Sequence, residues 1–151
     1  MGIDTEVDIY FWIFIKLIYE VEKLKKGRRL TKVELLPLST ADVTRLSLKH
    51  HLALAALRTG HADVDLIATL MNVVSLAFFL RPHDEADVSV YADAQTTLNS
   101  VVERMHANDG IRLLPAELEI LERVVVQHDA QLASTPVFRL MEAWSQLGRN
   151  G

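Results

Sequence analysis

The sequence predicts an all-α fold, a compact bundle of five to six helices. Apolar residues recur every three or four positions through five segments after residue 38, which is the spacing of a helix with one buried face. Most of these segments start at a capping residue or a proline and end at a glycine or before a proline. Only four prolines and six glycines occur in 151 residues, so long uninterrupted helices fit the composition.

The N-terminal segment, residues 1–36, fits either a helix or a short strand. Thr5 and Asp8 have the spacing of a capping box, and lysines followed by Gly27 are typical of a helix C-terminus. The run IYFWIFIKLIY at residues 9–19 is rich in aromatic and β-branched residues, which also favour a strand. We expect a helix up to Gly27, followed by an extended connector or short strand in RRLTKVELLPL.

The first two helices after residue 38 have clear ends. Ser39 and Asp42 form a second capping-box pattern, and Gly60 ends the first helix. The second helix has acids in its first turn and stops before Pro82. Its centre is apolar on nearly every side, so we expect it to be the core helix. The predicted buried stripe of the first helix is Val43, Leu46, His50, Leu54 and Leu57.

Three more helices follow by the same reasoning. One starts near Asp84 or Asp87 and ends at the sequence NDG. The next has Pro115 at its first position, and the last starts at Pro136 and ends before Gly148. In the first of these helices the predicted buried residues are Val90, Ala94, Leu98 and Val101 or Val102. In the second they are Leu118, Leu121, Val125 and Leu132.

Length favours one domain over residues 1–151, with a divergent segment at 1–36 and a helical core at 39–148. The absence of cysteine excludes disulfides and thiolate metal sites, and it favours a reducing, cytoplasmic location. The apolar run at residues 9–19 is too short to cross a membrane, and Lys16 interrupts it. Because the residues before it are acidic, it does not resemble a signal peptide, and we expect no membrane partner.

Histidines and aspartates are the residues with the greatest chemical potential. The order His51, His83-Asp84 and Asp129 can be aligned with the metal ligands of helical HD-domain phosphohydrolases, in which a metal activates water. However, His83-Asp84 falls in a loop beside Pro82, and no aspartate follows Asp129. Since His128 and Asp129 are consecutive, they point about 100° apart on a helix. We therefore predict no catalytic residue, no metal and no cofactor, and expect His128 and Asp129 to fix helix contacts.

Charge and aromatic clusters provide the candidate partner-binding residues. The net charge is −4, but residues 1–32 carry seven bases and five acids. Six of the bases lie in the run KLKKGRRLTK, Lys23–Lys32. This basic run fits nucleic acid or an acidic protein surface, or a solvated helix end. The aromatic candidate is Trp12, because a helix apolar on nearly every side needs a partner or a second copy to cover it. The remaining candidates are Lys23, Lys25, Lys26, Arg28, Arg29 and Lys32 in the basic run, and Asp84, Glu85 and Asp87 in an acidic loop.

Residues 46–133 resemble a family of small helical proteins encoded by phages and plasmids of proteobacteria, some of which are labelled Fis-family regulators. The matching elements run from His51-Leu52-Ala53-Leu54 through Gly60, Ala62 and Asn72 to Tyr91-Ala92-Asp93 and His128-Asp129-Ala130-Gln131-Leu132. Residues 1–36 do not match. The resemblance implies a mobile-element accessory protein and no particular mechanism.

The leading hypothesis is a non-catalytic protein that binds a host protein or protein complex, such as an antagonist of host defence of the anti-CRISPR kind. A DNA-binding transcriptional regulator that uses the basic run is the alternative, and a metal-dependent phosphohydrolase is a third. A homo-oligomer is compatible with each of them.

Overall fold

The computed structural model describes residues 29–61 and 63–150. The predicted N-terminal helix lies outside them, as do Trp12, Lys23, Lys25, Lys26 and Arg28. The described residues confirm the all-α prediction with five helices, which are α1 (Thr40–Arg58), α2 (Val64–Phe79), α3 (Ser89–His106), α4 (Pro115–Ser134) and α5 (Val137–Asn150). The described residues divide into two compact units, one of residues 38–61 and 63–134 with α1 to α4, and one of residues 29–37 and 135–150 with α5.

Local signals set the ends of these helices largely as predicted. The Ser39 hydroxyl accepts a hydrogen bond from the Asp42 amide at 3.2 Å, which caps α1. Gly60 follows α1 with a φ of +78°, a left-handed conformation that costs glycine little. The Asp63 carboxylate caps α2 through the Leu66 amide at 3.0 Å, and α4 begins at Pro115 as expected.

Two predicted boundaries need correction. α3 begins at Ser89 with Val88 at the N-cap position, and no side chain makes a capping hydrogen bond. Neither Asp84 nor Asp87 is therefore the cap, although Asp87 accepts a hydrogen bond from the Ser89 amide at 2.9 Å. α5 continues through Gly148 to Asn150. Glycine weakens a helix without breaking it, so its presence near a helix end does not fix the boundary by itself.

In the unit of residues 38–134, α2 and α4 are the central helices. Each packs against the other three, which explains why α2 is apolar nearly all round. Most residues of the predicted stripes are buried, and Leu54, Leu98 and Leu121 are each at most 5% exposed. The exceptions are Val43, Val90 and Leu118, which are half-buried. The core consists mainly of Ala53, Leu54, Leu57, Ile67, Leu70, Val73, Val74, Ala77, Tyr91, Ala94, Leu98, Val101, Leu121, Val124 and Val125.

In the other unit, a turn precedes Pro37 and contacts the start of α5. Its backbone pairs with α5 through Val137 N to Leu36 O at 2.9 Å and Phe138 N to Glu34 O at 3.0 Å. Pro37 and Pro136 form an isolated bridge. The connector predicted as extended therefore folds into a turn, because the Glu34 carboxylate accepts from the Thr31 amide at 2.6 Å.

Candidate functional site: an acidic cleft between α3 and α4

A cleft of about 640 Å³ lies between the N-terminal half of α3, the loop before it and the outward face of α4. Its volume falls in the range of ligand-binding pockets. Five carboxylates and one guanidinium line the cleft, together with three apolar side chains, Val90, Ile120 and Val126, which we call its apolar floor. The lining residues are Glu85, Asp87, Ser89, Val90, Asp93, Glu119, Ile120, Glu122, Arg123, Val126 and Gln127.

The loop before α3 supplies two of the residues that the sequence had indicated. Glu85 and Asp87 line the cleft, whereas the exposed Asp84 is not among the lining residues. Hydrogen bonds from Ser89 lower the pKa of Asp87, so its carboxyl remains ionised at neutral pH. The acidic cluster predicted from Asp84 to Asp87 is therefore split, with two of its three acids facing the cleft.

Tyr91 fixes one wall of the cleft. Its hydroxyl donates to Glu85 Oε2 at 2.9 Å and accepts a short hydrogen bond from Gln127 Nε2. Burial raises the pKa of the tyrosine, and the hydrogen bond to Glu85 raises it further. The ring also packs edge-on against Phe78, with centroids 5.6 Å apart. This arrangement joins α3 to α4 and holds the Glu85 carboxylate at the edge of the cleft.

The α4 side of the cleft was not predicted. Glu119 and Glu122 are exposed and three positions apart, and Val126 follows on the same side of the helix with 59% of its surface exposed. In the sequence they form an ordinary solvated face opposite Leu121 and Val125. The available signal was Val126, a large apolar residue on an otherwise polar face.

The electrostatics of the cleft favour a cationic ligand. One arginine, Arg123, offsets five carboxylates, so the cleft has a negative potential that attracts lysine or arginine side chains. The apolar floor adds contact area for the aliphatic stems that such side chains carry. The arrangement suits binding of a basic peptide segment.

The His128-Asp129 pair is at a different place and plays a structural role. His128 is 1% exposed, its Nδ1 donates to Gln131 Oε1 at 3.0 Å, and Gln131 Nε2 donates to the Ala77 carbonyl at 3.0 Å. The His50 ring lies 5.5 Å from the His128 ring. Burial, together with the neighbouring His128, lowers the pKa of His50 to about 3. Burial also lowers the pKa of His128. Both rings are therefore neutral, and they connect α1, α2 and α4.

Asp129 provides a second connection between α4 and α1. Its carboxylate accepts from the Ser47 hydroxyl at 2.6 Å and pairs with His51 Nε2 at 2.7 Å. Because the serine hydroxyl donates to the carboxylate, its proton is not directed at an imidazole that could activate it. The prediction that His128 and Asp129 fix helix contacts is therefore confirmed.

The metal-ligand set of the phosphohydrolase hypothesis is not assembled in the described part of the chain. His51 and Asp129 are in contact, with 2.7 Å between Nε2 and the carboxylate. However, no group of three or more histidine or carboxylate side chains among residues 29–61 and 63–149 could hold a metal ion. No described helix is both long and apolar enough to span a membrane. Comparison with protein-family models, curated protein sequences and solved structures gives no match for this chain.

Proposed function

We propose that this protein is a non-catalytic binding protein whose acidic cleft holds a basic segment of a partner protein. The observation that carries the proposal is the cleft between α3 and α4, in which five carboxylates surround an apolar floor. Such a site attracts lysine and arginine side chains from a distance and retains them through apolar contact. The resemblance to phage and plasmid proteins adds the broader setting of a cytoplasmic mobile-element protein with a host partner, such as a host-defence antagonist.

The direct test is titration of the full-length protein into a fluorescently labelled peptide of alternating lysine and leucine. We expect binding that weakens as salt rises from about 50 to about 300 mM, because screening shortens the reach of surface charges. The double variant Glu119→Gln/Glu122→Gln is expected to weaken binding by about 3- to 10-fold.

A matched control variant removes the same number of negative charges at positions outside the cleft. Glu103→Gln/Asp109→Asn also removes two exposed carboxylates, and neither residue lines the cleft. We expect this control to bind the peptide as the wild type does. Equal weakening by both double variants would show a diffuse effect of net charge and would contradict a specific cleft.

A DNA-binding regulator is the second candidate, and the exposure of Arg29 and Lys32 favours it. Binding to duplex DNA should then fall steeply with salt, since each neutralised phosphate releases a counterion. Arg28→Gln/Arg29→Gln should reduce both the affinity and the slope of that salt dependence. Absence of DNA binding at about 50 mM salt would eliminate this candidate.

A further inference from the structure

The turn at residues 29–36, which we call the basic knuckle, exposes three large apolar side chains. Val33, Leu35 and Leu36 have 73%, 52% and 50% of their surfaces exposed. A hydrogen bond from Leu35 N to Thr31 O at 3.2 Å and the backbone pairing of Leu36 with Val137 hold the turn in place. Clustered apolar exposure of this kind on an ordered turn is typical of an interaction surface.

The charges of the basic knuckle that face solvent are positive. Arg29 and Lys32 are exposed. Glu34, the one acid in the turn, is only 5% exposed, and its carboxylate accepts from the Thr31 amide. The outward surface therefore combines cationic and apolar groups, which are the two kinds of group that the acidic cleft is suited to bind.

We propose that the basic knuckle of one copy occupies the acidic cleft of a second copy, so that the free protein self-associates and a basic partner segment displaces it. The inference rests on the proposed function, since both use the same cleft. Arg29 and Lys32 would meet carboxylates such as Glu119 and Glu122, and the exposed leucines would meet Val126 on the floor. Because the knuckle and the cleft are different surfaces of the protein, the contact between two copies is head-to-tail and not self-complementary. Since the knuckle is a single short turn, the contact is small and we expect weak association, with a Kd on the order of 10–100 μM.

Mixing two variants provides the sharpest test. Val33→Glu/Leu36→Glu disables the knuckle, and Glu119→Lys/Glu122→Lys disables the cleft. All four side chains are exposed, so both proteins should fold, which circular dichroism checks. Sedimentation velocity should show concentration-dependent assembly of the wild type between about 5 and about 200 μM and a monomer for each variant alone. An equimolar mixture should form a dimer that grows no further, because it retains one intact knuckle and one intact cleft.

A peptide with the sequence of residues 28–38, RRLTKVELLPL, identifies the occupant. It should bind the wild type and dissociate the assembly, and it should bind Glu119→Lys/Glu122→Lys at least 10-fold more weakly. A monomeric wild type at every concentration would overturn the inference. The inference would also be wrong if the wild type is monomeric and Val33→Glu/Leu36→Glu binds the peptide more tightly than the wild type does. The knuckle would then compete with the peptide for the cleft of its own chain.

The two proposals fail in distinguishable ways. If the lysine-leucine peptide binds but the wild type stays monomeric, the cleft is a binding site and the second-copy inference is wrong. If neither peptide binds, both proposals are wrong. If the wild type assembles but the mixed variants do not form a dimer, the assembly uses another surface and the inference is likewise wrong.

Discussion

The buried histidine pair should make the protein lose stability as the pH falls from 7 to 5. Burial keeps His50 neutral in the folded state and lowers its pKa from 6.5 to about 3. In the unfolded chain the same ring binds a proton below its ordinary pKa, so the unfolded state gains protons first. Folding stability is therefore greatest above pH 6.5 and decreases as the pH falls toward 3.

The size of the effect follows from the pKa of His50. At pH 5 the pH is 1.5 units below 6.5, the pKa of the ring in the unfolded chain. Each unit corresponds to about 1.4 kcal/mol. The neutral His50 therefore lowers the unfolding free energy at pH 5 by about 2 kcal/mol. The lowered pKa of His128 adds to the loss in the same direction. The lowered pKa of His50 already includes the opposing effect of Asp129 and the smaller lowering effects of Lys49 and His51. Asp129 also opposes the lowering of the His128 pKa.

Urea unfolding followed by circular dichroism at pH 7 and pH 5 measures this loss. His50→Gln cannot titrate, so its stability should change by about 2 kcal/mol less than that of the wild type over the same interval. If His50→Gln loses as much stability as the wild type between pH 7 and pH 5, the buried neutral ring is not the cause and the reasoning is refuted.

Two further predictions concern stability. Gln131→Ala leaves the buried Ala77 carbonyl and His128 Nδ1 without the partner that the side chain provides, and it should lower the unfolding free energy by about 2–3 kcal/mol in a urea titration. Gly60→Ala should cost about 1 kcal/mol because φ is +78° there, while Gly148→Ala, inside α5 with open space around it, should raise the melting temperature. Equal signs for the two glycine substitutions would contradict the conformational explanation.

The helices of the unit at residues 38–134 were predictable because their signals are local. The Ser39 cap, Gly60 and Pro115 each act within one turn of the residue that carries them. The apolar stripes identify the buried faces for the same reason, since one face of a helix requires only the 3.6-residue repeat. The start of α3 was less certain because Asp84 and Asp87 both fit the capping pattern, whereas the helix has Val88 at its N-cap and no side-chain capping hydrogen bond.

The acidic cleft was not predictable because it depends on how α3 and α4 pack. Asp93 and Glu119 lie 26 positions apart in the sequence, and each belongs to an ordinary polar helix face. The sequence did contain the pair Glu85 and Asp87, and it contained a valine at position 126 on an otherwise polar helix face. The sequence does not show how α3 packs against α4, and this packing brings the acidic residues together around the apolar floor of the cleft.

The carboxylates of the cleft should also reduce the stability of the free protein. The polar groups near His128 are hydrogen-bonded and connect helices, so their removal destabilises the fold. By contrast, Glu119 and Glu122 are exposed like charges at neighbouring positions of one helix face, and such pairs repel. Glu119→Gln/Glu122→Gln should therefore raise the melting temperature at low salt while it weakens peptide binding, the trade-off expected of residues kept for function. A lower melting temperature for this variant would show that the two glutamates stabilise the fold, and the case for the cleft would lose its energetic basis.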